Sequence, residues 1–278
     1  MSDKYAVVGY PISHSKSPLI HRLFAEQTEQ DLSYEAILID NEETSFEYAI
    51  AGLKQRGYKG INITVPFKLD AFEYADQKTS RAQSAHAINT FIFHDDGTTT
   101  GDNTDGIGLV NDIEINGSRT FAGQKVLILG AGGAVQGIME PLLAKHPASI
   151  HIANRTAKRA EVLGQRFETA TPITASGWED IPTQEGYDII INGTSASLDN
   201  KLPPVSEAIL KSDSLVYDMM YGAEPTIFLK WASQHQPQCQ TMDGLGMLVG
   251  QAAEAFLLWR GVRPETQSVI DEVRRQMA

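Results

Sequence analysis

Two rhythms of apolar and polar positions alternate along the chain. Ile61-Asn62-Ile63-Thr64-Val65 steps between apolar and polar with a period of two and is rich in β-branched residues, which predicts a strand. Pro66 removes a backbone donor and ends it. Phe67 is then free to pack inward, and Lys68 stands at the strand exit, where a rigid sheet can aim a side chain at a ligand. Further strands are predicted at Tyr5 to Gly9, Leu32 to Ile39, Ala87 to Phe93, Lys125 to Leu129, Ser149 to Ala153, Asp188 to Thr194 and Leu215 to Tyr221. Asp96-Gly97 marks a hairpin whose return strand runs into Gly101-Asp102-Asn103-Thr104-Asp105-Gly106.

Between the strands the rhythm becomes helical. Glu43 to Gln55 places Phe46, Ile50 and Leu53 on one face and ends before Gly57. Helices are also predicted at Pro18 to Gln27, Leu69 to Asp76, from near Thr79, Ile107 to Ile115, from the glycine turn to Ala144, after Asn154, Thr226 to Gln234, Met247 to Trp259 and Glu265 to Met277. Thr241 to Met247 reads as a turn. Alternating strands and helices predict an α/β protein with a largely parallel sheet covered on both faces. Asp105-Gly106 reads as the end of a first unit, which gives domains of residues 1–105 and 106–240 and a C-terminal helical segment, 241–278.

The 278 residues are 42% hydrophobic and 21% charged, an ordinary globular composition long enough for two domains. Their formal net charge of -12 opposes binding to nucleic acid or to an anionic membrane surface. One cysteine, Cys239, excludes an internal disulfide and fits a reducing compartment. The N-terminal run is broken by Gly9 and Pro11 and lacks the basic start of a signal peptide, so a cytoplasmic protein is expected. The seven histidines fall in no ligand spacing, which argues against a transition-metal site. Nothing in the sequence chooses between a monomer and a homodimer.

Three stretches add chemistry. Pro11-Ile12-Ser13-His14-Ser15-Lys16-Ser17-Pro18 puts hydroxyls at the start of a helix, a place suited to a carboxylate. N-capping by Ser17 would account for one serine and leave Ser15 unexplained. Lys125 to Leu129 enters Gly130-Ala131-Gly132-Gly133-Ala134 and then a helix, the strand–turn–helix arrangement that seats a dinucleotide pyrophosphate. Val135 stands where the general fingerprint has a third glycine or alanine. The next strand ends in Asn154-Arg155-Thr156-Ala157-Lys158-Arg159. An acidic residue there would hold ribose hydroxyls; Asn154 followed by three cations suits a ribose 2′-phosphate.

These stretches, together with Asn62 to Lys68, Ala87-Ile88-Asn89-Thr90, Gly101 to Gly106, Tyr217-Asp218-Met219-x-Tyr221 and Asp243 to Leu248 with Gln251, resemble the shikimate dehydrogenase family over nearly the whole chain. The resemblance implies NADPH-dependent reduction of 3-dehydroshikimate to shikimate, a step of aromatic amino-acid biosynthesis. It implies a substrate domain and a Rossmann-type NADP-binding domain with a cleft between them, the C-terminal helices returning to the substrate domain. It assigns Lys68 and Asp105 to catalysis and Ser15, Ser17, Thr64, Asn89, Tyr221 and Gln251, with the catalytic pair, to the substrate. It assigns Gly130 to Ala134 (Gly130, Ala131, Gly132, Gly133, Ala134), Asn154, Arg155, Thr156, Lys158, Arg159, Thr194, Met219 and Gly244 to the cofactor. An ammonium beside a ketone oxygen can stabilise the charge left by hydride addition and supply the proton. Two rival readings are a quinate/shikimate dehydrogenase using NAD and a non-catalytic NADPH-sensing protein of the same fold. The cation cluster and paired serines argue against the first, the presence of both Lys68 and Asp105 against the second.

Overall fold

The structure, a computed structural model, describes residues 2–40, 42–167 and 169–277. The chain divides into two compact units, one of residues up to 108 with 248–276, the other of residues 109–247. Both passages between units fall inside helices.

The first unit contains β1 (Asp3–Gly9), α1 (Ser17–Gln27), β2 (Leu32–Leu38), α2 (Phe46–Gln55), β3 (Tyr58–Ile63), α3 (Lys68–Tyr74), β4 (Gln77–Lys78), α4 (Ser80–Ala85), β5 (Thr90–Phe93), β6 (Thr99–Asp102) and the start of α5 (Asp105–Asn111). Its sheet runs β2-β1-β3-β5-β6-β4. β1 pairs in parallel with β2 and β3, and β4 with β6, whereas β5 is antiparallel to both its neighbours. The hairpin at Asp96-Gly97 joins β5 to β6 and accounts for their antiparallel pairing, and Gly97 takes the positive φ of 87° such a turn asks for. The sequence expectation for Ala87 to Phe93 begins too early: Ala87, Ile88 and Asn89 precede the strand and form the approach to it.

The second unit continues α5 as a π-helical turn over Asp112–Asn116. There follow β7 (Lys125–Leu129), α6 (Gly133–Leu143), β8 (Ser149–Ala153), α7 (Ala157–Gly164), β9 (Ile173–Ser176), β10 (Tyr187–Asn192), β11 (Leu210–Asp218), α8 (Ile227–His235) and β12 (Gln240–Asp243). The order β12-β11-β10-β7-β8-β9 is parallel throughout and winds outward in both directions from the β7/β10 boundary. That is the doubly wound dinucleotide fold, and ligands bind where the winding reverses. β12 lies in the stretch that reads as a turn from sequence.

α9 (Leu245–Arg260) and α10 (Gln267–Arg275) complete the chain. The part of α9 in the first unit is held there by ion pairs on buried carboxylates: Arg81 donates to Asp102 at 2.6 Å and to Glu254 at 2.9 Å, and the more exposed Arg263 donates to Glu254 at 2.6 Å. Trp259 Nε1 donates to the Phe91 carbonyl at 2.9 Å, and its ring stacks on Tyr5.

His21, on α1, is fully buried and lies flat on Tyr34, 4.1 Å between ring centres. Its ring nitrogens make no direct hydrogen bond. Burial holds its pKa down to about 3, with the Asn62 side chain opposing that shift. The unfolded chain therefore binds a proton here, near pH 6.5, that the folded chain refuses. Stability from this group is complete above about pH 6.5 and is lost as pH falls below that value. His21→Phe, which keeps an aromatic on Tyr34, is expected to lose about 2 kcal/mol less stability than the unmodified chain between pH 7 and pH 4.5. Urea midpoints across that range read the difference, and identical pH slopes would refute it.

Candidate functional site

Lys68 reaches its position through three local constraints. β3 carries the chain to Ile63, the Thr64 carbonyl accepts from the Phe67 N–H at 3.1 Å, and Phe67 is buried against Phe46. Lys68 is the first residue of α3, so it starts a helix where the sequence predicted only a strand exit. Its carbonyl accepts from the Ile88 N–H at 3.0 Å, which ties it to the approach of β5.

The Lys68 ammonium donates to Asp105 Oδ2 at 2.6 Å; the two side chains are 31% and 19% exposed. Asp105 opens α5, and its N–H donates to Asn103 Oδ1 at 3.1 Å. Its other oxygen, Oδ1, accepts from Asn89 Nδ2 at 2.8 Å. Asn89 is buried, and its Oδ1 accepts from the Thr104 N–H at 2.9 Å. The structure thus brings Lys68, Asp105 and Asn89 into one hydrogen-bonded group, half-buried and built from three separate stretches of the chain.

The serine loop belongs to the same unit. The N-cap of α1 is Lys16, without a side-chain cap bond, so Ser17 is not the cap; its N–H donates to Ser15 Oγ at 3.3 Å. Thr64 follows β3 beside Gly9, and its N–H donates to the Val8 carbonyl at 3.0 Å. Gln251 is buried on α9, where its amide nitrogen donates to the Leu248 carbonyl at 2.8 Å.

In the second unit, Gly130 follows β7 with a φ of +109° and lies close to the Gly193 carbonyl, two conditions that favour glycine. Gly132 caps α6 without a side-chain bond, and a Cβ at Gly132 or Gly133 would meet nothing within 4 Å. The start of α6 thus has no side-chain cap and has room beside its first glycines, as an anion site requires. Lys158 and Arg159 line a cavity of about 220 Å³ together with Ala131, Gln136 and Arg166. Arg166 donates to Gln136 at 2.9 Å, and Lys158 pairs with Glu161 at 3.1 Å. Asn154 turns its amide to the Thr156 carbonyl at 2.9 Å. The glycine turn, the uncapped helix and the cationic cavity fit a phosphorylated dinucleotide.

Thr194 and Met219 stand just beyond the ends of β10 and β11, and the Gly244 N–H donates to the Met220 carbonyl at 3.2 Å. Tyr221 is 37% exposed; burial raises its pKa, with Asp243 adding to the rise. Among the described residues no helix is long and apolar enough to cross a membrane, and no three His, Cys, Asp or Glu side chains gather as metal ligands. A roomier hollow of about 790 Å³ beside α1 and β2, lined in part by Arg22, Glu26 and Glu29, holds none of the expected site residues.

Family models match three stretches of the chain. They are the shikimate dehydrogenase substrate binding domain over residues 7–91, shikimate/quinate 5-dehydrogenase over 114–201 and the shikimate 5′-dehydrogenase C-terminal domain over 244–274. A curated NADP(+) shikimate dehydrogenase from Hydrogenovibrio crunogenus is 74% identical over 99% of this chain and 99% of its own. The chain belongs to the shikimate dehydrogenase family. Among solved structures, an Ael1 enzyme from Pseudomonas putida is 45% identical with a TM-score of 0.91, covering 98% of each chain. A shikimate 5-dehydrogenase from Thermus thermophilus, solved with NADP(H) and shikimate, is 28% identical with a TM-score of 0.81, covering 99% of this chain and 100% of that one.

Several supporting residues of this shikimate dehydrogenase fold escaped the sequence reading. Arg81 and Glu254 are charged residues on helices, indistinguishable by pattern from solvated ones. Tyr34 and Thr90 read as ordinary strand residues, yet Tyr34 donates to Asn62 at 2.7 Å and Thr90 to Asn89 at 2.9 Å. The available signal was the run of polar residues Asn89-Thr90 and Asp102-Asn103-Thr104 beside apolar strands, since polar groups in a core come in bonded sets.

Proposed function

We propose that this chain is an NADP-dependent shikimate dehydrogenase, which reduces the ketone of 3-dehydroshikimate to the alcohol of shikimate and runs the reverse oxidation. The observation that carries this reading is the Lys68–Asp105 pair at 2.6 Å, with Asn89 on the second carboxylate oxygen. Bound NADPH supplies the hydride. Lys68 supplies the proton to the ketone oxygen and stabilises the negative charge developing there. Asp105 holds the ammonium in place and accepts from a neighbouring substrate hydroxyl. Ser15 and Ser17 donate to the substrate carboxylate, and Thr64, Asn89 and Gln251 take the remaining polar groups; Tyr221 is a further donor.

The first unit is the substrate domain and the second the cofactor domain, with the α6 N-terminus holding the pyrophosphate. Asn154, Arg155, Thr156, Lys158 and Arg159 hold the ribose 2′-phosphate. Thr194, Met219 and Gly244 line the nicotinamide. The reading includes a cytoplasmic location, in keeping with a single cysteine.

Initial rates followed by NADPH absorbance test the assignment. Shikimate with NADP is expected to give the highest kcat/KM among the four pairings of shikimate or quinate with NADP or NAD. A higher value for quinate with NAD would replace this reading with the quinate/shikimate one. Specific cofactor binding without turnover of either acid would favour a sensing protein.

A further inference from the structure

Behind the Lys68–Asp105 pair, within the first unit, runs a chain of buried neutral hydrogen bonds whose direction the geometry fixes. The Thr104 N–H lies 2.9 Å from Asn89 Oδ1. A peptide N–H only donates, so this atom is the amide oxygen, and the nitrogen of Asn89 faces Asp105 at 2.8 Å. On the far side of Thr90, the Asn62 side-chain nitrogen lies 3.0 Å from Thr90 Oγ1 and 3.4 Å from the Asn89 carbonyl, which only accepts. Asn62 therefore donates to Thr90, and Thr90 passes its own hydrogen to Asn89 Oδ1 at 2.9 Å. Asn62 Oδ1 is left to accept from the Tyr34 hydroxyl at 2.7 Å. The Tyr34 ring is itself fixed by the stacked His21.

Every hydrogen in this row points toward Asp105. Thr90 is 0% exposed, Asn89 3% and Asn62 5%, so bulk water does not compete for the bonds. In such surroundings successive bonds polarise one another. Thr90 makes no direct hydrogen bond to Lys68 or Asp105; its hydroxyl reaches the pair through the Asn89 amide.

We propose that Thr90 is a positioning residue for the proton-transferring pair: its hydroxyl, aimed by Asn62 and Tyr34, braces the Asn89 amide on Asp105 Oδ1 so that Asp105 keeps Oδ2 on Lys68. This rests on the reading that Lys68 and Asp105 manage the proton.

Thr90→Val keeps the shape and removes the hydroxyl; Thr90→Ser keeps the hydroxyl and removes a methyl. If the hydrogen bond matters, Thr90→Val is expected to lower kcat about fivefold, the worth of one typical bond. Thr90→Ser is expected to stay near the unmodified rate, and KM for NADP to stay unchanged in both. A packing role would reverse the ranking, because valine fills the core better than serine. Equal rates for Thr90→Val and the unmodified enzyme, or a serine variant as slow as the valine one, would overturn the proposal. Should Thr90→Val fail to fold, Tyr34→Phe removes the donor at the other end of the row. It is expected to lower kcat in the same direction with KM for NADP unchanged, and an unchanged kcat would again overturn the proposal. An unmodified chain that does not turn over shikimate with NADP would instead remove the functional reading beneath it.

Discussion

Lys68→Ala is expected to lower kcat by about a hundredfold to ten-thousandfold, the usual contribution of a positioned acid–base group. Shikimate should still bind, because the residues proposed to hold it lie on other elements: Ser15 and Ser17 at the start of α1, Asn89 before β5 and Gln251 on α9. The backbone at position 68 should survive the change. Its anchor is a carbonyl accepting from Ile88, and Phe67 beside it is packed in the core; neither uses the lysine side chain. What is lost is the ammonium, and with it the cationic partner of Asp105. Steady-state rates and shikimate titration together read the result. A variant with near-full turnover would remove Lys68 from the chemistry, and a variant that neither turns over nor binds shikimate would make the lysine a binding group first.

Arg155→Ala is expected to raise KM for NADP at least about tenfold more than KM for NAD. A charge-assisted hydrogen bond is worth about 1.5–3 kcal/mol, which corresponds to roughly tenfold to a hundredfold in affinity. NAD lacks the 2′-phosphate and should hardly register the change. The discrimination should also fall as salt is added, since Arg155 is exposed and its field is screened. The cation cluster stands in a chain of net charge -12, so local arrangement, not overall charge, must favour the anionic cofactor. Equal effects on the two cofactors would refute the 2′-phosphate assignment.

Much of the fold was legible because its central strands are short, mostly apolar and rich in isoleucine, valine or leucine. β7, β8 and β10 are buried along almost their whole length and flanked by turn residues. The edges were not legible. β9 and β12 are four-residue strands at the two margins of their sheet, only partly buried, and an edge strand need not show a regular pattern. Helix boundaries set by capping were readable at Thr79 and Thr226, whose side chains accept from Ala82 and Leu229. Of the candidate site, spacing alone marked the glycine turn and its cations. The meeting of Lys68, Asn89 and Asp105 rests on three turns folding together, and no periodicity encodes that. The family motifs named those residues; the structure supplied the hydrogen bonds among them.

The first unit is assembled from both ends of the chain, whereas the dinucleotide fold of the second lies in one stretch, residues 109–247. Synthesis runs from the N-terminus, so residues 109–247 are all available before the residues of α9 that cover Tyr5 and His21 have been made. The nascent chain thus holds an exposed aromatic floor in its earlier half while its later half can already close, the reverse of the usual order in which domains fold as they emerge. A stop codon late in the message would spare every residue of the dinucleotide fold and leave the substrate half without its cover.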